Sequence, residues 1–216
     1  MSVVTRKLDH FREFHLTGPG RLHITQADQE YLTIDAPDHM LPAIESTVHD
    51  GTLNLGYRSP KVDAMQNWRE ELVYHLTLVD IDAISLSGSG SIRAPDLDTD
   101  EIRLCNSGSG QILIDELTAD FINSIVSGSG RIVVAGDVES QLLLIDGSGN
   151  YDAQGLISDF VSLKITGSGS ASVAVHHDLD VVITGSGKVH YMGHPDVTKQ
   201  IFGSGRITRI KKAKSQ

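Results

Sequence analysis

Thiols are almost absent from this sequence. Cys105 is the only cysteine in 216 residues, which excludes an intramolecular disulfide framework and any cysteine-rich metal centre. A buried or half-buried inert thiol is expected there. Aromatic residues make up only 5% of the chain, so small and β-branched side chains must build the core. Positive charge is scarce as well. Eighteen Lys and Arg against 28 Asp and Glu leave a net charge of −10, which argues against a nucleic-acid partner. No apolar run is long enough to serve as a transmembrane segment. Residues 1–7 lack the apolar region of a signal peptide, which taken alone points to the cytoplasm.

Glycine, by contrast, is plentiful, and most of it is periodic. The tripeptide Gly-Ser-Gly returns at Gly88 and Gly90, Gly108 and Gly110, Gly128 and Gly130, Gly147 and Gly149, Gly167 and Gly169, Gly185 and Gly187, and Gly203 and Gly205. The copies lie 20, 20, 19, 20, 18 and 18 residues apart, a spacing that marks stacked repeats. Aligned on the first glycine, the flanks fall into columns. Four residues on stand Ile92, Ile112, Ile132, Tyr151, Ala171, Val189 and Ile207; two residues before stand Leu86, Asn106, Val126, Ile145, Ile165, Ile183 and Ile201. Polar residues occupy the alternate positions, the period of a strand with one buried face. This parity turns the glycines inward and sets Ser89, Ser109, Ser129 and their equivalents in an outward hydroxyl row. Leucines recur about nine residues later, each followed by an aspartate (Asp100, Asp120, Asp159, and Asp178 one residue early), a residue suited to Asx-type turns. Each repeat therefore reads as strand, glycine bend, strand and Asp turn. The predicted fold is all-β: a single-stranded parallel β-solenoid, right-handed, with rungs of 18–20 residues and an irregular N-terminal β region.

The recurrent Gly-Ser-Gly-x-Ile pattern follows an N-terminal segment running from Phe14 through Gly18-Pro19-Gly20 to Ile24. Together these residues, over about 8–210, resemble the bacterial autotransporter-adhesin family with a head GIN domain. The resemblance implies a β-helical protein exposed at the cell surface or exported, with no assigned chemistry. Fold transfers through such a likeness better than function does.

The organisation expected is an irregular β region over 1–82, contiguous with a repeat β-helix over 83–210, then a basic tail over 211–216. Within the first part, Phe14 to Ile24 reads as a degenerate rung and Tyr31 to Ile34 as a strand. Ile44–His49 and Thr52–Tyr57 read as a hairpin about Asp50-Gly51. Residues 58–70 read as a loop holding the only tryptophan, Trp68, and 71–79 as a strand leading into the repeats. At the other end, Arg209 replaces the apolar residue of its column, as suits a terminal rung.

Candidate chemistry is thin. A serine hydrolase elbow or a phosphate loop needs a helix after the glycines, and seven nucleophiles would serve no mechanism; structural turns are the preferred reading. One Asp per 20 residues falls short of a calcium-binding roll, which needs several oxygens per turn. His176 and His177 are adjacent and so should point opposite ways. His190 and His194 share a strand face, but Gly193 and Pro195 forbid the helix that would make them a ligand pair. Neither a metal nor a cofactor is expected. Trp68 fits a lid over the open end of the solenoid or an exposed contact residue. The function expected is non-enzymatic: an adhesin or structural spacer meeting a surface glycan or protein, with Trp68, Ser89, Ser109 and Ser129 as contact candidates. The alternatives are an intracellular scaffold that forms homo-oligomers through its solenoid ends, and a polysaccharide-active β-helix enzyme.

Overall fold

The computed structural model describes residues 2–57 and 72–211. It is 74% strand and coils into a β-solenoid of about six turns. Seven short strands come first: β1 (Ser2–Lys7), β2 (Glu13–Thr17), β3 (Arg21–Gln26), β4 (Tyr31–Ala36), β5 (Ile44–His49), β6 (Thr52–Tyr57) and β7 (Val73–Leu78). The regular coil begins with β8 (Ala83–Ser87), β9 (Ser91–Ala94), β10 (Leu97–Asp98) and β11 (Glu101–Asn106), the last stacked on β8. Each later turn is nearly continuous: β12 (Gln111–Gly128), β13 (Arg131–Gly147), β14 (Asn150–Gly167) and β15 (Ser170–Gly185). Three strands finish the stack, β16 (Lys188–Gly193), β17 (Asp196–Gly203) and β18 (Arg206–Arg209).

A rung has three sides rather than the two read from the sequence. β9, β10 and β11 are those sides, with corners at the glycines, at 95–96 and at 99–100. Neighbouring rungs pair in parallel, so like columns stack. Ile92 faces Ile112, which faces Ile132, then Tyr151, Ala171 and Val189, and all six are shut off from water. Burying one aliphatic side chain in such a column contributes about 1.5–3 kcal/mol. Each rung's apolar inner face is thus completed only by its neighbours.

Stack order departs from chain order at the N-terminal end. β2 and β3, joined by Gly18-Pro19-Gly20, form a rung against β8 and β9, with Phe14 facing Ile84 and Leu22 facing Ile92. The rung on their other side is β6 and β7, with Phe14 facing Leu53 and Ile24 facing Leu76. The chain must therefore pass the β2–β3 rung to enter β8. Arg12 clamps that crossing, its Nε and Nη2 donating to the Asp82 carboxylate at 2.6 and 2.7 Å. These bonds hold the Asp82 carboxyl below its ordinary range. A lowered folded pKa means the contribution is present at neutral pH and fades in acid, as pH falls through that pKa. Outside this rung the pairing turns antiparallel: β5 on β6, β4 on β7 and β1 on β4. The β5–β6 turn places Asp50 and Gly51 at φ 49° and 74°, the left-handed pair that a tight hairpin demands.

One buried polar chain crosses the core. The Tyr151 hydroxyl donates to Gln141 Oε1 at 2.9 Å, Gln141 Nε2 donates to Ser158 Oγ at 2.9 Å, and Ser158 Oγ donates to the Ala174 carbonyl at 2.8 Å. Burial pushes the Tyr151 phenol up, so it stays a donor. Tyr151→Phe strips Gln141 of that donor inside a closed core and should cost about 1–3 kcal/mol in a urea melt. A loss under about 0.5 kcal/mol, the size of a surface change, would show that the chain of bonds contributes nothing.

Candidate contact surface

The glycine corner is built by two different steric demands. The second glycine of each pair is buried from Gly90 to Gly187, and a Cβ there would crowd the rung beneath, meeting backbone first at Gly90 and Gly110 and the column side chain first from Gly130 to Gly187. At Gly130 that neighbour is Asn106, 2.5 Å away. The first glycine does not face the core: it lies on the glycine of the rung beneath. Gly128 has φ +115° and a virtual Cβ 3.0 Å from the Gly108 carbonyl oxygen. Between the glycines Ser89, Ser109, Ser129, Ser148, Ser168, Ser186 and Ser204 are exposed, one per turn. Backbone bonds such as Ser148 N–H to the Gly128 carbonyl (2.9 Å) lock the ridge. Hydroxyls meet hydroxyls there, Ser186 lying 2.9 Å from Ser204. Asn106 is the polar member of a column of aliphatics, and its Nδ2 donates to the Gly110 carbonyl at 2.8 Å.

Beyond this ridge runs the side formed by β11 and the second halves of β12 to β15. Its outward face carries an apolar patch outside the inward columns. Leu142 and Leu144 are 42% and 37% exposed, and Phe160 is 41% exposed. Half-buried Ile125 pairs laterally with Leu144. The signal was the run Leu142-Leu143-Leu144-Ile145, apolar on both parities, where a one-faced strand would alternate. Cys105 is half-buried on this same face, and burial raises its thiol pKa, so the thiolate is suppressed at neutral pH. Trp68 lies outside the described residues.

The far corner of that side is acidic. Asp98, Asp100, Asp120, Asp137, Glu139 and Asp159 line one shallow trough. Two readings of this corner need correction. None of Asp100, Asp120 and Asp159 bonds its own turn through its side chain; rung-to-rung backbone bonds make the corner, such as Asp120 N–H to the Asp100 carbonyl at 2.9 Å. Asp178 leaves the column, because β15 brings it opposite Phe160. His176 and His177 do not diverge either. Both approach one oxygen of Asp159, at 3.6 and 3.7 Å, because strand alternation fails at a corner. Among the described residues no three His, Cys, Asp or Glu converge as a metal site. His190 is half-buried on β16, and His194 lies beyond that strand's end.

His23 stacks on His75 with ring centroids 5.3 Å apart. Desolvation, then the charge of His75, lowers the His23 pKa from 6.5. A lowered folded pKa makes protonation in the folded state unfavourable, so stability falls as pH drops below about 6.5. Melting temperatures at pH 7 and pH 5 should therefore differ less in His23→Gln than in the parent. An equal difference in the two chains would show that the stacked pair does not couple to folding.

Residues 10–195 match the family model described as "Putative auto-transporter adhesin, head GIN domain". Three crystal structures share the fold across 97% of this chain. A putative adhesin from Bacteroides fragilis NCTC 9343 is 26% identical, with TM-score 0.89 and 97% of its own length covered. A putative adhesin from Parabacteroides merdae ATCC 43184 is 22% identical, with TM-score 0.77 and 95% covered. A protein from Parabacteroides distasonis ATCC 8503, described as a putative lipid binding protein, is 22% identical, with TM-score 0.79 and 96% covered. A search of curated proteins finds no match.

Proposed function

We propose, since this chain belongs to the head GIN domain family of putative auto-transporter adhesins, that it is a non-enzymatic solenoid of the cell surface whose role is contact with a partner protein. The observation that carries this reading is the outward face holding Leu142, Leu144 and Phe160, each more than a third exposed on a parallel sheet. Apolar side chains clustered on a regular sheet, with polar borders, are the make-up of a protein-binding patch. The serine ridge with Ser89, Ser109 and Ser129 borders it on one side, and the acidic corner on the other. A main chain fixed by rung-to-rung hydrogen bonds loses little freedom on binding, which favours affinity per unit area. The rungs carry few insertions of the kind that build an enzyme's groove.

Leu142→Glu with Leu144→Glu tests it, since both side chains face water and the fold should survive. Parent and variant would be passed over immobilised extracellular-matrix proteins and over a glycan array. The reading expects the parent to bind a protein surface and the variant to bind at least about tenfold less, the loss of one or two anchor contacts. Equal binding by both, or no binding by the parent on the protein panel, overturns it. Binding to glycans alone, abolished by Ser89→Lys, Ser109→Lys and Ser129→Lys together, would move the contact onto the serine ridge.

A further inference from the structure

The rungs contract near the C-terminal end, and the contraction opens a cleft. Ala153 of β14 faces Val173, twenty residues on, but Ile157 faces Ala174, seventeen on, and Phe160 faces Asp178, eighteen on. The larger rung below therefore ends in a ledge, where Ile157 is left 42% exposed. Above the ledge Ala174 and Val175 form the floor and Met192 one wall, a cleft of about 560 Å³. Gly193 makes the close fit behind it possible: a Cβ there would lie 1.9 Å from the Val175 carbonyl oxygen. That volume falls within the roughly 300–1,000 Å³ of small-molecule sites.

The rim is chemically unlike the rest of the protein. His176, His194, Arg209 and Lys211 line the cleft, and no carboxylate does, although the chain has a net charge of −10. Among the described residues neither Arg209 nor Lys211 has a carboxylate partner, while Asp159 approaches His176 Nδ1 at 3.6 Å. An apolar floor beneath two unpaired cations suits a ligand with an alkyl body and one anionic head. The guanidinium fork matches a carboxylate in particular. The lining has no Phe, Tyr or Trp ring and no side-chain amide other than Gln154, which disfavours a sugar. We propose that this cleft binds a single-chain fatty carboxylate, head at Arg209 and Lys211 and tail along Ala174, Met192 and Ile157. The site lies apart from the Leu142–Leu144 patch and does not depend on the adhesive reading.

Calorimetry of the full chain with laurate, below its micelle concentration, tests the proposal. One equivalent should bind, and dodecyltrimethylammonium, of equal chain length and opposite charge, should not. Arg209→Gln with Lys211→Gln should weaken laurate at least about tenfold, the loss of a charge-assisted hydrogen bond, while leaving dodecanol unchanged. Ala174→Phe, which fills the floor from its half-buried outer position, should remove both ligands without lowering the melting temperature. No laurate binding, equal binding of the two opposite charges, or laurate binding unaffected by the double substitution would each overturn it.

Discussion

Gly128→Val should destabilise the chain by about 3–5 kcal/mol, while Ser129→Ala beside it should cost less than about 0.5 kcal/mol. Two penalties add at Gly128. Its φ of +115° is a backbone conformation that a β-branched residue adopts only under strain. Its virtual Cβ already stands 3.0 Å from the Gly108 carbonyl oxygen, and the valine methyls would reach further into that rung. The rung cannot retreat, because the Gly108 carbonyl accepts the Ser129 N–H at 3.2 Å. Ser129 points into water and loses only solvation. A total stability of about 5–15 kcal/mol makes the glycine change a large fraction of the whole. Urea melts with coincident circular dichroism and fluorescence would measure both. Losses of equal size would mean that the serine, not the glycine, is the sterically constrained member of the motif.

The repeat was legible because its period and its parity are both written in residue type. A column such as Ile92, Ile112 and Ile132 can be read off the chain, and rung-to-rung pairing places those residues together. What stayed hidden depended on pairing between segments far apart in sequence. Nothing in residues 52–57 or 73–78 says that they lie outside the β2–β3 rung, since that order follows from which edge each strand meets. The third side of each rung was hidden too, because the corner at 95–96 carries only Pro95 and Asp96 as a signal and later turns lack the proline. At the Asp corner, residue spacing misled: Asp178 follows its neighbours by number but not by register, once the rungs have contracted. The contact patch is legible as an apolar run that breaks the alternation at Leu142, but alternation marks only which face is buried and says nothing of an apolar side chain on the outer one.

Removing residues 206–216 should turn the chain into a concentration-dependent associator. Among the described residues β17 pairs only with β15, and β18 only with β16, so within that set each has one unpaired edge. The inward columns end there unevenly. Val197 and Ile201 continue above Leu179 and Ile183 and are each 37% exposed, but Lys199 stands above Val181 and Arg209 above Tyr191. A cation in a core column cannot be buried under a further rung without a heavy desolvation cost, which is how natural edges refuse another strand. The deletion takes away β18 with Arg206 and Arg209, and uncovers β16 with its buried Val189 and Met192. Light scattering across a dilution series should then show rising mass, with circular dichroism confirming that the strands persist. Lys199→Val with Arg209→Val supplies the sharper test, because it keeps β18 and changes only the charge in the columns. Association in both variants assigns the guard to the two cations; association in the deletion alone assigns it to the covering strand. Monodisperse, folded behaviour in both would show that this end needs no guard. Ordered end-to-end growth by the unaltered chain would instead favour the polymerising scaffold.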